Sequence, residues 1–140
     1  MKFLAFALIC FVPLSLFAQA DAALHFDATD LKIVERADVI LSDPSKWNRH
    51  DDRECNDDIA NATYSLYCAL YKASLDIAGV YIHRRPAMEI VRRIIDKYGQ
   101  GRVKHHRLMD WNNHPDTTFA EVKKVLKESI AAIQQQLNAK

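Results

Sequence analysis

Glycine is scarce in this chain: three residues of 140, at positions 79, 99 and 101. Few glycines mean few of the tight backbone turns on which many cofactor sites depend. No glycine-rich phosphate loop, G-x-S-x-G elbow or H-E-x-x-H pair occurs, which excludes the commonest nucleotide, serine-hydrolase and zinc-protease signatures. No cofactor is therefore expected. Strand-like alternation, internal repeats and low-complexity stretches are also missing, which points to an all-α fold. Past residue 20 no apolar run approaches the roughly 20 residues that a bilayer-crossing helix needs. Cysteine is confined to Cys10, Cys55 and Cys68.

What is present begins with MKFLAFALICFVPLSLFAQA. Lys2, an apolar run and the small-x-small triplet Ala18-Gln19-Ala20 have the form of a secretory signal peptide. The expectation is a signal peptide over 1–20 and a single helical domain over 21–140, exported to a periplasmic or secreted location. Cleavage would remove Cys10 and Lys2, leaving a mature chain with no membrane span and no net charge to favour one class of partner. Export would bring Cys55 and Cys68 to a compartment that permits disulfides. They lie 13 residues apart, a feasible loop, but separation alone does not show that their Cβ atoms meet, so the pairing stays open here.

The helical pattern is centred on Ile59–Gly79, IANATYSLYCALYKASLDIAG. Leu66, Ala69, Leu70, Ala73 and Ile77 recur at spacings of three and four, and the tyrosines at 64, 67 and 71 extend the apolar surface. A helix apolar on most sides belongs inside a bundle. A first helix is expected over Ala28–Ser42, capped by Thr29 or Asp30, with Leu31, Val34, Ala37 and Leu41 inward. Pro86 starts another that runs to about Tyr98. Thr118-Phe-Ala-Glu121 is a capping box opening a last helix to about Asn138. The architecture expected is a small bundle of about four helices around the central apolar helix 59–79. Two irregular stretches remain, Lys46–Asp58 and Gly99–Asp116, and such loops often carry function.

Charge is uneven. Asp21–Asp58 is acidic, whereas His83–Arg107 gathers Arg84, Arg85, Arg92, Arg93, Lys97, Arg102, Lys104 and Arg107. The two segments can attract each other within one fold, or the basic one can serve an anionic partner. Aromatic residues are sparse in the basic segment, so nucleic acid is not expected as a partner. The acidic loop lacks the register of an EF-hand, and Asn61-Ala62-Thr63 matches a glycosylation sequon.

Trp111-Asn112-Asn113-His114-Pro115-Asp116-Thr117-Thr118, followed by Glu121-Val122, resembles an uncharacterised bacterial and phage family with a W-N-D-x-P-x-x-T-x-x-E-V motif before its last helix. Trp47 after the first helix, and Cys68-Ala69-Leu70 within a C-A-L helix, agree with it. The chain departs at Asn113, where that family usually has Asp, and at Tyr71, where it often has Gly. The resemblance implies a small all-helical fold and no known reaction. Read as physics alone, the motif is structural: Trp111 wedges between helices, Asn112 bonds backbone ends, and Pro115-Asp116 stiffens the approach to the capping box.

Cys68, then His105 or His106, then Asp110 or Asn112 follow the order of a thiol hydrolase. A mid-helix cysteine, however, gains nothing from a helix N-terminus. His105, His106, Asp110 and His114 offer metal-ligand chemistry but match no standard spacing. The functional reading is thus a non-catalytic binding or interaction domain of the bacterial envelope, taking an unidentified protein or an anionic envelope ligand. Its expected surface combines the two loops with the basic residues Arg84–Arg107 and includes Trp47, Arg84, Arg85, Arg102, His105, His106, Trp111, Asn112 and His114. The alternative is an exported thiol- or metal-dependent hydrolase.

Overall fold

The computed structural model describes residues 23–55 and 63–139. The expected signal peptide, the sequon asparagine and the first residues of the 59–79 helix lie outside the described residues. Those described are all-helical, with five α-helices: α1 (Ala28–Ile40), α2 (Leu66–Ala78), α3 (Pro86–Tyr98), α4 (Arg107–Asn113) and α5 (Phe119–Asn138). A single 3-10 turn, Pro44–Lys46, follows α1.

α1 is capped by Asp27, two residues before Thr29 and three before Asp30, the caps its pattern suggests. Asp27 accepts from the N–H groups of Thr29 and Asp30, and Asp30 accepts in return from the Asp27 N–H. The carboxylate at Asp30 then does a second job. It is buried and accepts from Arg85 Nε at 2.9 Å and from the Ala87 N–H at 3.2 Å, which ties the start of α1 to the start of α3. The other end of α1 is closed by α5: Lys123 Nζ donates to the carbonyls of Asp38 and Leu41, two groups that a helix end leaves without a partner.

The helix expected from Ile59 begins only at Leu66. Tyr64 and Ser65 are extended; Tyr64 exchanges backbone hydrogen bonds with Lys46 and Asn48 in a one-residue parallel bridge to Trp47. Ser65 caps α2 by accepting from the Cys68 N–H. Tyr64 therefore belongs to a strand-like clasp and not to the helix, and helical periodicity alone does not register that competing backbone pairing. Leu66, Ala69, Leu70 and Ala73 are wholly buried, whereas Ile77 is exposed. Gly79 ends α2 at φ 70°, a conformation that suits glycine.

The core joins Ile33, Val34 and Ala37 of α1 and Leu41 just after it to these α2 residues, to Met88, Val91 and Ile95 of α3, and to Val122, Leu126 and Ile133 of α5. α1 packs against α2, α3 and α5, and α3 packs against α4 and α5. The stretch Gly99–Asp116, expected to be irregular, contains α4. Its Leu108 and Trp111 are buried in the core, and two apolar anchors three residues apart are enough to hold a seven-residue helix that would not persist alone.

Candidate anion-binding cleft

Asp110 organises the approach to α4. Its Oδ2 accepts from three successive backbone N–H groups, those of Lys104, His105 and His106, at 2.8, 2.6 and 3.0 Å. Burial alone would raise its pKa, but the N–H groups of His105, His106 and Lys104 together carry it below the usual carboxylate value. The chain before α4 is thereby wrapped around one carboxylate, and its side chains are thrown outward.

They line a cleft of about 400 Å³ with residues from three other places: Arg53 before the first cysteine, Tyr67 of α2, and His83, Arg84 and Arg92 around the start of α3. Lys104, His105, His106 and Arg107 complete the polar wall, and Val103, Leu108 and Met109 the apolar part. Five cations and three histidines therefore meet in one concavity whose lining holds no carboxylate. Behind it, Glu89 serves two of the arginines, at 2.9 Å from Arg92 Nη1 and 3.4 Å from Arg84 Nη1. Asp96 likewise pairs with Arg107 Nε at 3.0 Å. Two acids against three guanidinium groups, with Arg53 and Lys104 beside them, leave the local field positive.

Arg92 is the buried member, only 7% exposed. Its Nη1 also donates to the His83 carbonyl at 2.8 Å, and its Nη2 lies 3.4 Å from both ring nitrogens of His83. Burial, then the charges of Arg92 and Arg84, hold the His83 pKa below the ordinary histidine value. The Tyr81 hydroxyl pairs with His83 Nδ1 at 3.2 Å. Burial, and contact with Tyr67, push Tyr81 up to about 12, so it stays a phenol. Tyr81 packs edge-on against Tyr67, with ring centroids 5.9 Å apart, and lies 5.0 Å from Tyr71.

A disulfide joins Cys55 to Cys68 with their Cα atoms 5.2 Å apart, which answers the question the spacing left open. It stands beside Tyr67 and two residues after Arg53, so it holds two cleft residues from distant parts of the chain together. The bond also takes the Cys68 sulfur out of the hydrolase arrangement, and the Asp110 oxygen facing His105 and His106 is occupied by backbone donors. The metal set does not converge either. His105 and His106 line the cleft, while His114 follows the far end of α4 and pairs with Asp116 at 3.7 Å. No group of three or more histidine, cysteine or acidic residues placed to hold a metal occurs among the described residues.

The surface expected from the sequence divides in two. Arg84, His105 and His106 belong to the cleft. Arg85 latches α1 to α3, and Arg102 bonds Glu121 and Thr117 at the start of α5. Trp111 and Asn112 are wholly buried, so they serve the fold and not a contact surface. Trp47 donates from Nε1 to Asn112 and packs on Phe119, with Arg49 over its ring. Arg53 and Tyr67 were not in that surface: Tyr67 reaches it with the packing of α2 on α4, and Arg53 is held there by the disulfide and by the Asp51–Asn113 bonds. A second, acidic cavity of about 250 Å³ lies by the same bond, lined by Asp51, Asp52 and Glu54 among others.

No curated protein and no solved structure is significantly similar to the chain. Residues 25–132, most of its length, match a family described as "Family of unknown function (DUF6197)". The chain is a member of that family of unknown function, DUF6197.

Proposed function

We propose that this protein is an exported, non-catalytic binding domain that captures an anionic ligand in the cleft between α3 and the start of α4. One observation carries the reading: five cations and three histidines line one cavity without a carboxylate among them. Concentrating like charge costs stability through self-repulsion, and an anion relieves that cost. Charge-assisted hydrogen bonds from guanidinium groups are short and about twice as strong as neutral ones. The export part rests on the signal-like first 20 residues and fits a disulfide that needs an oxidising compartment.

Titration calorimetry with inorganic pyrophosphate tests the cleft. Saturable binding that weakens with salt is expected, with a loss of roughly tenfold or more in Arg84→Gln/Lys104→Gln, from about 1.5 kcal/mol or more for charge-assisted bonds. Equal affinity in the double variant would overturn the assignment.

A further inference from the structure

We propose that the anion is the headgroup phosphate of a membrane lipid, and that Val80 and Ile82 enter the bilayer surface beside it. The inference rests on the cleft being an anion site and adds its source. The loop that follows α2 carries the argument. Gly79 turns the chain at φ 70°. Tyr81 then points inward onto Tyr67 and Tyr71, while its neighbours Val80 and Ile82 stand 50% and 47% exposed. The next two residues, His83 and Arg84, line the cleft. One short loop therefore presents two branched apolar side chains and two cleft residues together, with an aromatic cluster behind them. Single exposed apolar residues are ordinary. Their placement here, on the loop that supplies the cleft wall, is what a soluble anion would not require.

The charges agree with an anionic bilayer. Arg53, Arg84 and Lys104 are exposed at the cleft, beside Arg107, which pairs with Asp96 at 3.0 Å, and cations near an anionic leaflet each contribute roughly fivefold in affinity. Asp52 and Glu54, on either side of Arg53, line the separate acidic cavity and not this cleft. Apolar immersion plus several cations is the two-part signal of a protein lying on a membrane. It is compatible with the absence, among the described residues, of any helix long and apolar enough to cross one.

The test uses the mature chain and two probes. Co-sedimentation measures binding to vesicles of phosphatidylglycerol in phosphatidylcholine against phosphatidylcholine alone, and calorimetry measures glycerol 3-phosphate as the free headgroup. Binding to the anionic vesicles but not to phosphatidylcholine alone is expected, together with weaker binding of glycerol 3-phosphate. Val80→Ser/Ile82→Ser should weaken vesicle binding at least about tenfold and leave glycerol 3-phosphate unchanged. Arg84→Gln/Lys104→Gln should weaken both, with circular dichroism showing both variants folded. Binding of glycerol 3-phosphate without vesicle binding would overturn the lipid source and keep the anion cleft. Vesicle binding untouched by Val80→Ser/Ile82→Ser would overturn the immersion of that loop. Failure of both probes, together with pyrophosphate, would remove the anion cleft itself and this inference with it.

Discussion

The indole Nε1 of Trp47 donates to Asn112 Oδ1 at 2.8 Å, and that bond is one corner of a closed amide network. The same oxygen accepts from the Leu66 N–H at 3.0 Å, and Asn112 Nδ2 donates to the Asn48 carbonyl and to Asn113 Oδ1. Asn113 continues it, accepting from the Asp51 N–H and donating to the Asp51 carbonyl. Two adjacent amides thus tie α4 to the 47–51 segment and to the start of α2. Replacing Asn112 by Asp removes both donors and places a buried charge opposite two oxygens. We expect Asn112→Asp to cost roughly 3–5 kcal/mol, and Asn112→Ala somewhat less, since each buried partner left unpaired costs about 1–3 kcal/mol. Urea denaturation monitored by tryptophan fluorescence measures both; a cost below 1 kcal/mol would contradict the network's role.

Arg85 and Asp30 form the second long-range tie, with side chains 16% and 2% exposed. Arg85→Ala leaves the Asp30 carboxylate buried without its cation, although the Ala87 and Asp27 N–H groups remain. Removing one partner of such a pair costs about 3 kcal/mol or more. The double variant Arg85→Met/Asp30→Leu should recover much of that loss, and a thermal melt of the three variants distinguishes the outcomes.

The Cys55–Cys68 bond closes a short loop, for which chain-entropy arguments give roughly 3 kcal/mol. Cys55→Ser/Cys68→Ser should lower stability by about that amount and weaken pyrophosphate binding by loosening Arg53. Intact mass after alkylation, with and without reduction, checks the bond directly: no label is expected on the mature protein before reduction. The same spectrum tests export, since cleavage after Ala20 gives a chain starting at Asp21.

Asp51 is buried, and burial raises its pKa above the usual carboxylate value, opposed by the Arg53 N–H and the Ser65 hydroxyl. A carboxyl whose folded pKa is raised contributes stability below its unfolded value of about 4 and loses it as the pH rises through the folded value. Asp51→Asn should therefore be more stable than the parent at pH 7 and equal to it at pH 3. Denaturant midpoints at the two pH values decide it; a less stable variant at pH 7 would mean that the ionised carboxylate is needed.

His83 faces Arg92, Arg84, Arg53, Glu89 and the Tyr81 hydroxyl, and its pKa lies below the ordinary histidine value of about 6.5. An anion in the cleft favours its protonated form, so pyrophosphate affinity should rise as pH falls through and below that value. His83→Gln should flatten the acidic end of the profile. An unchanged profile would place the anion away from His83.

Local physics written in short spans of sequence determined much of this protein. The all-α class, the Pro86–Tyr98 helix and the Thr118–Glu121 capping box depend on neighbours three or four residues away, and so does the turn at Gly79. The structural role of Trp111 and Asn112 was legible too, because tryptophan and asparagine beside a proline and a capping box suit wedging between helices and bonding backbone ends. The start of α2 was not, since Tyr64 pairs with Lys46 and Asn48, residues far back along the chain, and periodicity carries no such information. α4 was missed because its seven residues are held by the core contacts of Leu108 and Trp111 and by the Asp110 backbone nest, not by their own propensity. The basic segment could be counted along the chain, but only tertiary structure divided it. Packing drew Arg85 and Arg102 into ion pairs within the fold, while the seating of α2, the disulfide and the Asp51–Asn113 bonds brought Tyr67 and Arg53 to Arg84, Arg92 and Lys104. Which charges neutralise one another and which are left facing a cavity is a matter of distance in space, and a linear sequence holds only separation along the chain.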